Sequence, residues 1–191
     1  RPKGVMLSHR NILSNAYAGL ESFAVIGPGD LFLSFLPLSH MLERTGGYYA
    51  GIMSGCAIAY ARSVAQLGED LASRQPTILI SVPRIYERVY ARISEQLAAG
   101  SPLKRKLFHL AVDVGWQRFE HSQGRAHWSP KLLLWPLLKS LVASKIMARM
   151  GGRLRFAVSG GAALAPEIAR VFIGLGLPVL QGYGLTETSP V

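Results

Sequence analysis

Short apolar runs, each followed by a loop rich in glycine or proline, recur along this chain. The runs at residues 31–36, 77–82 and 177–180 have the length and the apolar content of strands buried on both faces, and a further strand, which includes Arg155, is predicted at residues 154–158. A shorter strand is predicted at residues 57–60. Strands of this kind are typical of a mostly parallel sheet flanked by helices, so the pattern predicts the α/β class.

Segments with helical periodicity alternate with these strands. The clearest begins at Pro83, a residue suited to the first turn of a helix, and places Ile85, Tyr86 and Val89 on one arc and charged residues on the other. Ser8 is a good N-cap for the first helix. The predicted helices cover residues 8–20, 46–54, 64–73, 83–99, 103–121 and 131–150, and another opens at Pro166.

The segment at residues 131–150 allows two interpretations. Leucines at residues 132–134 and Trp135, flanked by Lys131 and Lys139, could insert into a membrane interface. They could equally form a core helix, which is the interpretation favoured here, with Pro136 as an interruption.

Polar residues follow the last predicted strand in the run QGYGLTE, residues 181–187. Ligands bind to open α/β sheets at the carboxyl ends of the strands. Between two small glycines, Tyr183 could lay its ring beside a planar ligand. The Thr186 hydroxyl and the Glu187 carboxylate suit a phosphate oxygen and its Mg²⁺. For this run alone, an ordinary glycine-rich turn remains the alternative.

Two further strand ends carry candidate residues. The loop at residues 159–164 contains two glycines and two alanines, and its position one helix before the last strand predicts a crevice shared by both glycine loops. His40 follows the strand at residues 31–36. A hydrogen-bonded histidine beside a helix-capping Ser39 is the alternative there, and the residues alone favour it.

The composition shows that the chain is strongly basic. The chain has 191 residues, is 49% hydrophobic and 17% charged, and carries a net charge of +10 from 21 Lys and Arg against 11 Asp and Glu. This charge would suit nucleic acid, nucleotide phosphates or an anionic membrane. A solvated basic face on a truncated domain is favoured instead, because no nucleic-acid-binding signature accompanies the charge.

Cysteine usage and uncharged runs exclude several classes. Cys56 is the single cysteine, so neither a disulfide framework nor a cysteine metal site can form, and we expect a buried, inert thiol in a reducing compartment. The longest uncharged runs, residues 45–61 and 171–186, are too short and glycine-rich for a transmembrane helix.

Four motifs in fixed order give the chain a family resemblance. They are RPKGV at residues 1–5, LPLSH at 36–40, SGGA at 159–162 and QGYGLTE at 181–187. With them, the chain resembles the large N-terminal domain of an AMP-forming acyl-CoA synthetase, in the adenylate-forming superfamily. Residues 82–88 and 103–150 further resemble the long-chain fatty acid branch of that superfamily.

The resemblance implies a role for each matching residue. Glu187 would hold Mg²⁺, Thr186 would contact phosphate oxygens, and His40 would orient the acyl carboxylate at the mouth of a tunnel. Lys3 would belong to the phosphate-binding loop. The nucleotide-binding set implied by the resemblance is Lys3, Gly161, Ala162, Ala163, Gln181, Gly182, Tyr183, Gly184 and Thr186.

The implied reaction joins a fatty acid to coenzyme A in two steps. The carboxylate attacks the α-phosphate of ATP to give acyl-adenylate, and the CoA thiol then displaces AMP. A carboxyl group with a pKa of about 4.3 is already ionised at neutral pH, so the first step needs no general base. Positioning and charge neutralisation would carry the catalysis.

We expect residues 1–191 to be part of an AMP-binding domain without its C-terminal domain, because the chain begins without Met and lacks family elements. Alone, it should complete neither half-reaction. The expected location is cytoplasmic. Peripheral contact with the membrane is left open, and so is the oligomeric state, for which a homodimer is one possibility. Another adenylating enzyme, such as a medium-chain or aryl acid ligase or a peptide synthetase module, is the alternative. A basic nucleic-acid or membrane-binding module is more remote.

Overall fold

The sheet sets the architecture. The computed structural model describes residues 4–22 and 26–190, and within them five strands form one sheet in which every paired strand is parallel. The spatial order is β2-β1-β3-β4-β5. The strands are β1 (Leu31–Ser34), β2 (Ala57–Tyr60), β3 (Ile78–Ser81), β4 (Phe156–Ser159) and β5 (Val179–Gln181). The predicted α/β class with a parallel sheet is confirmed.

Helices connect the strands and cover both faces. The α-helices are α1 (His9–Ser22), α2 (Ala50–Met53), α3 (Leu67–Arg74), α4 (Pro83–Ala98), α5 (Pro102–Ser122), α6 (Trp135–Leu138), α7 (Ser144–Met147) and α8 (Pro166–Gly174). A π-helical segment, Glu43–Tyr49, runs directly into α2, and another, Lys139–Ala143, joins α6 to α7. Short 3₁₀ segments lie at Pro130–Leu134, Ala148–Met150 and Thr186–Thr188.

Most predicted elements exist, with shifted ends. The strand predicted at residues 31–36 ends at Ser34, because the chain then turns and the His40 N–H donates to the Pro37 carbonyl at 2.9 Å. The last strand is Val179–Gln181 rather than 177–180, since Val179 pairs with Ala157. The helix predicted from residue 46 begins earlier, in the segment that starts at Glu43.

The segment at residues 131–150 differs from the favoured interpretation. Trp135 and Leu138 are buried, as a core helix requires, but Leu133 and Leu134 are exposed, so the core prediction is wrong for these two. Pro136 does not interrupt the segment. It lies in the first turn of α6, where its missing N–H has no helical partner to lose.

One face of the sheet packs against α3, α4 and α8. Leu33, Leu79 and Ala157 form the sheet's share of this core. The rings of Tyr86 in α4 and Phe172 in α8 meet edge to face at 5.2 Å between centroids. Burial raises the pKa of Tyr86 to about 12, an effect that the Ser81 hydroxyl, 2.6 Å from the Tyr86 oxygen, partly opposes. Both helices are thereby fixed to the sheet.

A second layer lies on the outer side of these helices. The core here joins α5 to α8 and to the helical segment at residues 130–147, with Phe108, Trp135, Leu138 and Val171 among its buried residues. Glycines allow α5 and α8 to touch backbone to backbone: a Cβ on Gly115 would lie only 1.8 Å from the Gly174 carbonyl oxygen.

The opposite face of the sheet carries Phe32, Ile78 and Ile80, which pack with Leu42. The helical segment Glu43–Tyr49 and α1 contact each other and cover this face, as contacts of the segment with β1 and β3 show. Thr45 in the segment also donates its hydroxyl hydrogen to the Ser189 carbonyl at 3.2 Å. The segment is therefore held between the sheet and the end of the chain.

Three polar residues tie the amino-terminal ends of three strands together. Asp30, Thr77 and Arg155 each directly precede a strand. Asp30 is buried and accepts hydrogen bonds at 2.7 Å from the Thr77 hydroxyl and from one Arg155 nitrogen. Although burial acts to raise the pKa of Asp30, these donors outweigh it and hold that pKa below its usual value.

Two further expectations concern Cys56 and membrane spans. Cys56 is half-buried rather than buried, and its thiol donates to the Gly27 carbonyl at 2.9 Å. Among the helices of the described ranges, none combines the length and apolar content needed to cross a bilayer.

Candidate functional site

The candidate residues lie where the chain leaves the carboxyl ends of β1, β4 and β5. Residues 37–40 follow β1, residues 160–163 follow β4, and residues 182–187 follow β5. Because these strands are parallel, all three loops emerge at the same edge of the sheet.

The two glycine loops contact each other directly. The Gly182 N–H donates to the Ser159 carbonyl at 3.0 Å. The side-chain oxygen of Gln181 accepts a hydrogen bond from the Leu164 N–H at 3.1 Å. The two loops are therefore adjacent, with Gln181 bridging them, and the ligand crevice predicted between them stays a prediction.

The surfaces of both loops face outward. Gly161 has a φ of 80°, a backbone conformation that favours glycine, and it is exposed together with Ala162 and Ala163. Tyr183 exposes 85% of its surface. A ledge of small residues and an exposed aromatic ring are both surfaces suited to a flat heteroaromatic ligand.

Thr186 and Glu187 line a polar recess of about 480 Å³. They lie in the 3₁₀ turn Thr186–Thr188, in which the Thr188 hydroxyl accepts from the Leu185 N–H at 2.9 Å. The recess is completed by Val5, Leu7, Ile12, Ser39, Met41 and Arg44. It therefore brings a carboxylate, two hydroxyls and a guanidinium to one place.

Of the three predicted catalytic residues, His40 alone does not line the polar recess. It is exposed and directly follows Ser39, but it is not part of the lining of the polar recess. Sequence reasoning missed Arg44, which lies one helical turn after His40 and has no ion-pair partner among the described residues. Its spacing of four residues from His40, which follows a strand, is the sequence signal that could have identified Arg44 as a candidate site residue.

A magnesium ion fits this recess through one protein carboxylate. Within residues 4–22 and 26–190, no group of three or more His, Cys, Asp or Glu is positioned to hold a metal. Mg²⁺ commonly uses one or two carboxylates together with water and substrate phosphates. Glu187 can supply that single carboxylate. Lys3, expected to contact phosphate, lies outside the described residues.

An apolar cavity of about 290 Å³ lies beside the polar recess, and sequence reasoning did not locate it. It is formed between the sheet, α1 and the segment that begins at Glu43. Its sheet wall consists of Phe32, Ile78, Ile80, Phe156, Val158 and Leu180, and its other walls include Ala16, Leu20, Leu42, Gly46, Gly182 and Pro190. One end thus reaches the glycine loop after β5.

One helical segment separates the cavity from the recess. Leu42, Thr45 and Gly46 line the cavity, whereas Met41 and Arg44 line the recess. On the same segment, Glu43 is 0% exposed, and neither of its carboxyl oxygens has a hydrogen-bond partner among the described residues. Burial raises the pKa of Glu43 to about 7, with the Ser34 hydroxyl opposing the shift without reaching hydrogen-bond geometry.

This fold and these loops belong to a known class. The sequence model of the AMP-binding enzyme family matches residues 1–191, so the chain belongs to that family.

Among curated proteins, the chain is similar to long-chain acyl-CoA synthetases. It is 36% identical over 195 residues to the peroxisomal long chain acyl-CoA synthetase 7 of Arabidopsis thaliana, covering 100% of this chain and 26% of that protein. It is 35% identical over 196 residues to the long-chain-fatty-acid–CoA ligase FadD15 of Mycobacterium bovis, with 99% and 31% covered. The chain thus spans about a quarter to a third of these relatives.

Solved structures share the fold. ATP-bound MatB from Rhodopseudomonas palustris superposes with a TM-score of 0.62 at 22% identity, covering 100% of this chain and 28% of that one. The A-PCP didomain of carboxylic acid reductase from Segniliparus rugosus, in complex with AMP, gives a TM-score of 0.59 at 26% identity, with 100% and 23% covered.

Proposed function

We propose that the complete protein is an AMP-forming ligase that converts a long-chain fatty acid to acyl-adenylate and then to acyl-CoA. Residues 1–191 would be part of its AMP-binding domain. One observation carries the proposal: a single helical segment has an apolar cavity on one side and a carboxylate-bearing polar recess on the other. An acyl chain suits the first and nucleotide phosphates suit the second.

The nucleotide would lie across the two braced loops. Tyr183 stacks on the adenine, while Gly161, Ala162 and Ala163 form the opposing ledge. Gln181, Gly182 and Gly184 complete that wall, with Gln181 holding the two loops at a fixed separation. Lys3 and Thr186 bind phosphate oxygens in this proposal.

Charge neutralisation is the main task of the polar recess. Mg²⁺, when bound by Glu187, would neutralise phosphate charge. The Arg44 guanidinium adds a fixed positive charge to the same recess. His40 orients the acyl carboxylate at the end of β1 and takes no proton, because that carboxylate is already ionised.

The chemistry balances in two displacements. A carboxylate oxygen forms a bond to the α-phosphorus of ATP as the bond to pyrophosphate breaks. The thiol of coenzyme A then loses its proton to solvent as its sulfur bonds to the acyl carbon, and AMP leaves with the bridging oxygen. Preference for a medium-chain or aryl acid would keep the first step and change the substrate.

The test is AMP release by the complete protein from ATP and Mg²⁺, across acids of increasing chain length, with and without CoA. We expect turnover that requires both CoA and a long-chain acid. Glu187→Gln should lower kcat/KM for Mg-ATP by roughly 100-fold or more, because it removes the one carboxylate facing the phosphates.

A matched control is Glu95→Gln, an exposed carboxylate on α4, on the other side of the sheet. It should leave kcat/KM unchanged. Normal adenylation by Glu187→Gln would contradict the role of Glu187, and no AMP with any acid would contradict the ligase itself.

A further inference from the structure

A stripe of exposed leucines runs along the helical segment at residues 130–147. It consists of Leu133, Leu134, Leu137 and Leu141, and is called the leucine stripe below. Leu133 and Leu137 expose 72% and 59% of their surfaces. Three of the four recur at intervals of four residues, so they share one side of the segment.

The leucine stripe is not the consequence of an undocked helix. The other side of the same segment is packed into the outer core, where Trp135, Leu138 and Ala143 are buried. The guanidinium of Arg118 in α5 lies 5.7 Å from the centre of the Trp135 ring. The segment is therefore fixed in an orientation that directs the leucines outward.

The leucines lie within a uniformly basic part of the chain. Residues 121–166 contain no Asp or Glu, and their cations are Arg125, Lys131, Lys139, Lys145, Arg149, Arg153 and Arg155. Lys131, Lys139 and Lys145 are exposed and form no ion pair with any described residue.

Lys139 lines a recess with Arg118 and Trp135 on the packed side of the segment. Lys131 precedes Leu134 by three residues and Lys145 follows Leu141 by four, so helical periodicity places these two lysines on the side of the leucines. The leucine stripe is thus bordered by the positive charge of Lys131 and Lys145.

The combination of exposed leucines and positive charge favours one kind of binding partner for the leucine stripe. A second copy of the same face would bring like charges together, which opposes a symmetric dimer. Nucleic acid would satisfy the lysines but would leave four leucines without apolar contacts. A bilayer with anionic headgroups satisfies both, because leucines enter the acyl boundary while lysines remain at the phosphates.

We propose that the leucine stripe and its flanking lysines dock the protein on the surface of an anionic phospholipid bilayer. Trp128, exposed in the loop just before the segment, adds an aromatic side chain of the kind enriched at the membrane interface. The segment lies parallel to the bilayer and does not cross it. The proposal does not depend on the acyl-CoA ligase activity.

The experiment is co-sedimentation of the complete protein with vesicles of phosphatidylcholine mixed with phosphatidylglycerol, compared with vesicles of phosphatidylcholine alone. We expect binding to the mixed vesicles that weakens as salt increases. The double variant Leu133→Ser/Leu137→Ser removes apolar contacts, and Lys131→Glu/Lys145→Glu reverses charge beside the leucines. Each should reduce the bound fraction by roughly 10-fold or more.

The matched control is Ile52→Ser/Met53→Ser, which removes two exposed apolar side chains from α2 on the other face of the sheet. It should bind as the unmodified protein does, and unchanged melting temperatures should show that all variants fold. Absence of binding to the mixed vesicles would overturn the proposal. So would binding that both stripe variants retain, or a dimer in solution that the leucine substitutions disrupt.

Discussion

Glu43 occupies an energetically costly environment. It is fully buried, its carboxyl oxygens have no hydrogen-bond partner within residues 4–22 and 26–190, and its folded-state pKa of about 7 lies above the ordinary value of 4.5. A raised carboxyl pKa means that the folded state keeps its proton where the unfolded chain has lost it. The free energy of unfolding should therefore fall as pH rises from about 4.5 to about 7, and then level off.

Glu43→Gln should remove this slope, because the amide does not titrate. Near pH 4.5 the two proteins should be similarly stable, and near pH 7 the variant should be more stable by about 3 kcal/mol, from about 1.4 kcal/mol per pH unit. Urea denaturation across this pH range measures the difference.

The control for this prediction is Glu87→Gln, an exposed carboxylate on α4. It should keep the pH dependence of the unmodified protein. A slope that persists in Glu43→Gln would mean that another group is responsible. If Glu43→Gln also lowers activity, the carboxyl has a role in the segment between cavity and recess.

At the scale of elements, the crossing of α5 and α8 depends on two glycines. A Cβ on Gly174 would lie 2.5 Å from the Val112 carbonyl oxygen, and one on Gly115 would also meet Trp135 at 2.7 Å. Real side chains do not tolerate such distances, so the helices would have to separate.

Gly115→Ala should therefore destabilise the protein by about 3 kcal/mol, as overpacking of a close contact does. Gly68→Ala in α3 is the matched control, because no atom of the described residues lies within 4 Å of a Cβ there. The control should be neutral or stabilising by roughly 0.5–1 kcal/mol, since alanine favours helix. Thermal melting of both variants tests the contrast, and equal shifts would contradict this account of the crossing.

The elements that sequence could predict are those whose signals are local. Pro83 and Pro166 begin α4 and α8 as predicted, and apolar runs locate the five strands. The exact strand ends depend on pairing with neighbours, which a single run does not contain. The exposure of Leu133 could not be predicted either, because a leucine-rich helix has the same sequence pattern whether its outer side is buried or exposed to solvent.

The candidate site also has parts that the sequence could predict and parts that it could not. The loops holding Gly161, Tyr183 and Glu187 follow strands directly, so the rule about carboxyl ends of parallel strands located them. The apolar cavity arises from α1, the segment after β1 and four strands together. Such a space exists only after packing, and buried Glu43 has no sequence signal that separates it from an exposed glutamate.

At the scale of the whole molecule, the sheet separates the two proposed surfaces. The apolar cavity lies on the face covered by α1 and the segment at Glu43–Tyr49, whereas the leucine stripe lies beyond α8 on the other face. Docking through the leucine stripe would therefore turn the cavity side away from the bilayer. Membrane binding and acyl binding should be separable by mutation.

The tie among Asp30, Thr77 and Arg155 has a consequence for the lifetime of the folded state. The Asp30 bonds close sequence separations of 47 and 125 residues, so they can form only after β1, β3 and β4 have aligned. We expect these bonds to form after the folding transition state, and losing an interaction of that kind mainly accelerates unfolding.

Asp30→Asn should consequently raise the unfolding rate, by about 10-fold, and leave the refolding rate nearly unchanged. Stopped-flow denaturant jumps in both directions measure the two rates. Glu69→Gln, which removes an exposed ion pair with Arg62, should change neither rate appreciably. The hydrogen bonds at the amino-terminal edge of the sheet would then set the unfolding rate. They would thereby determine how long the candidate site at the opposite edge remains folded, although they are remote from every candidate ligand.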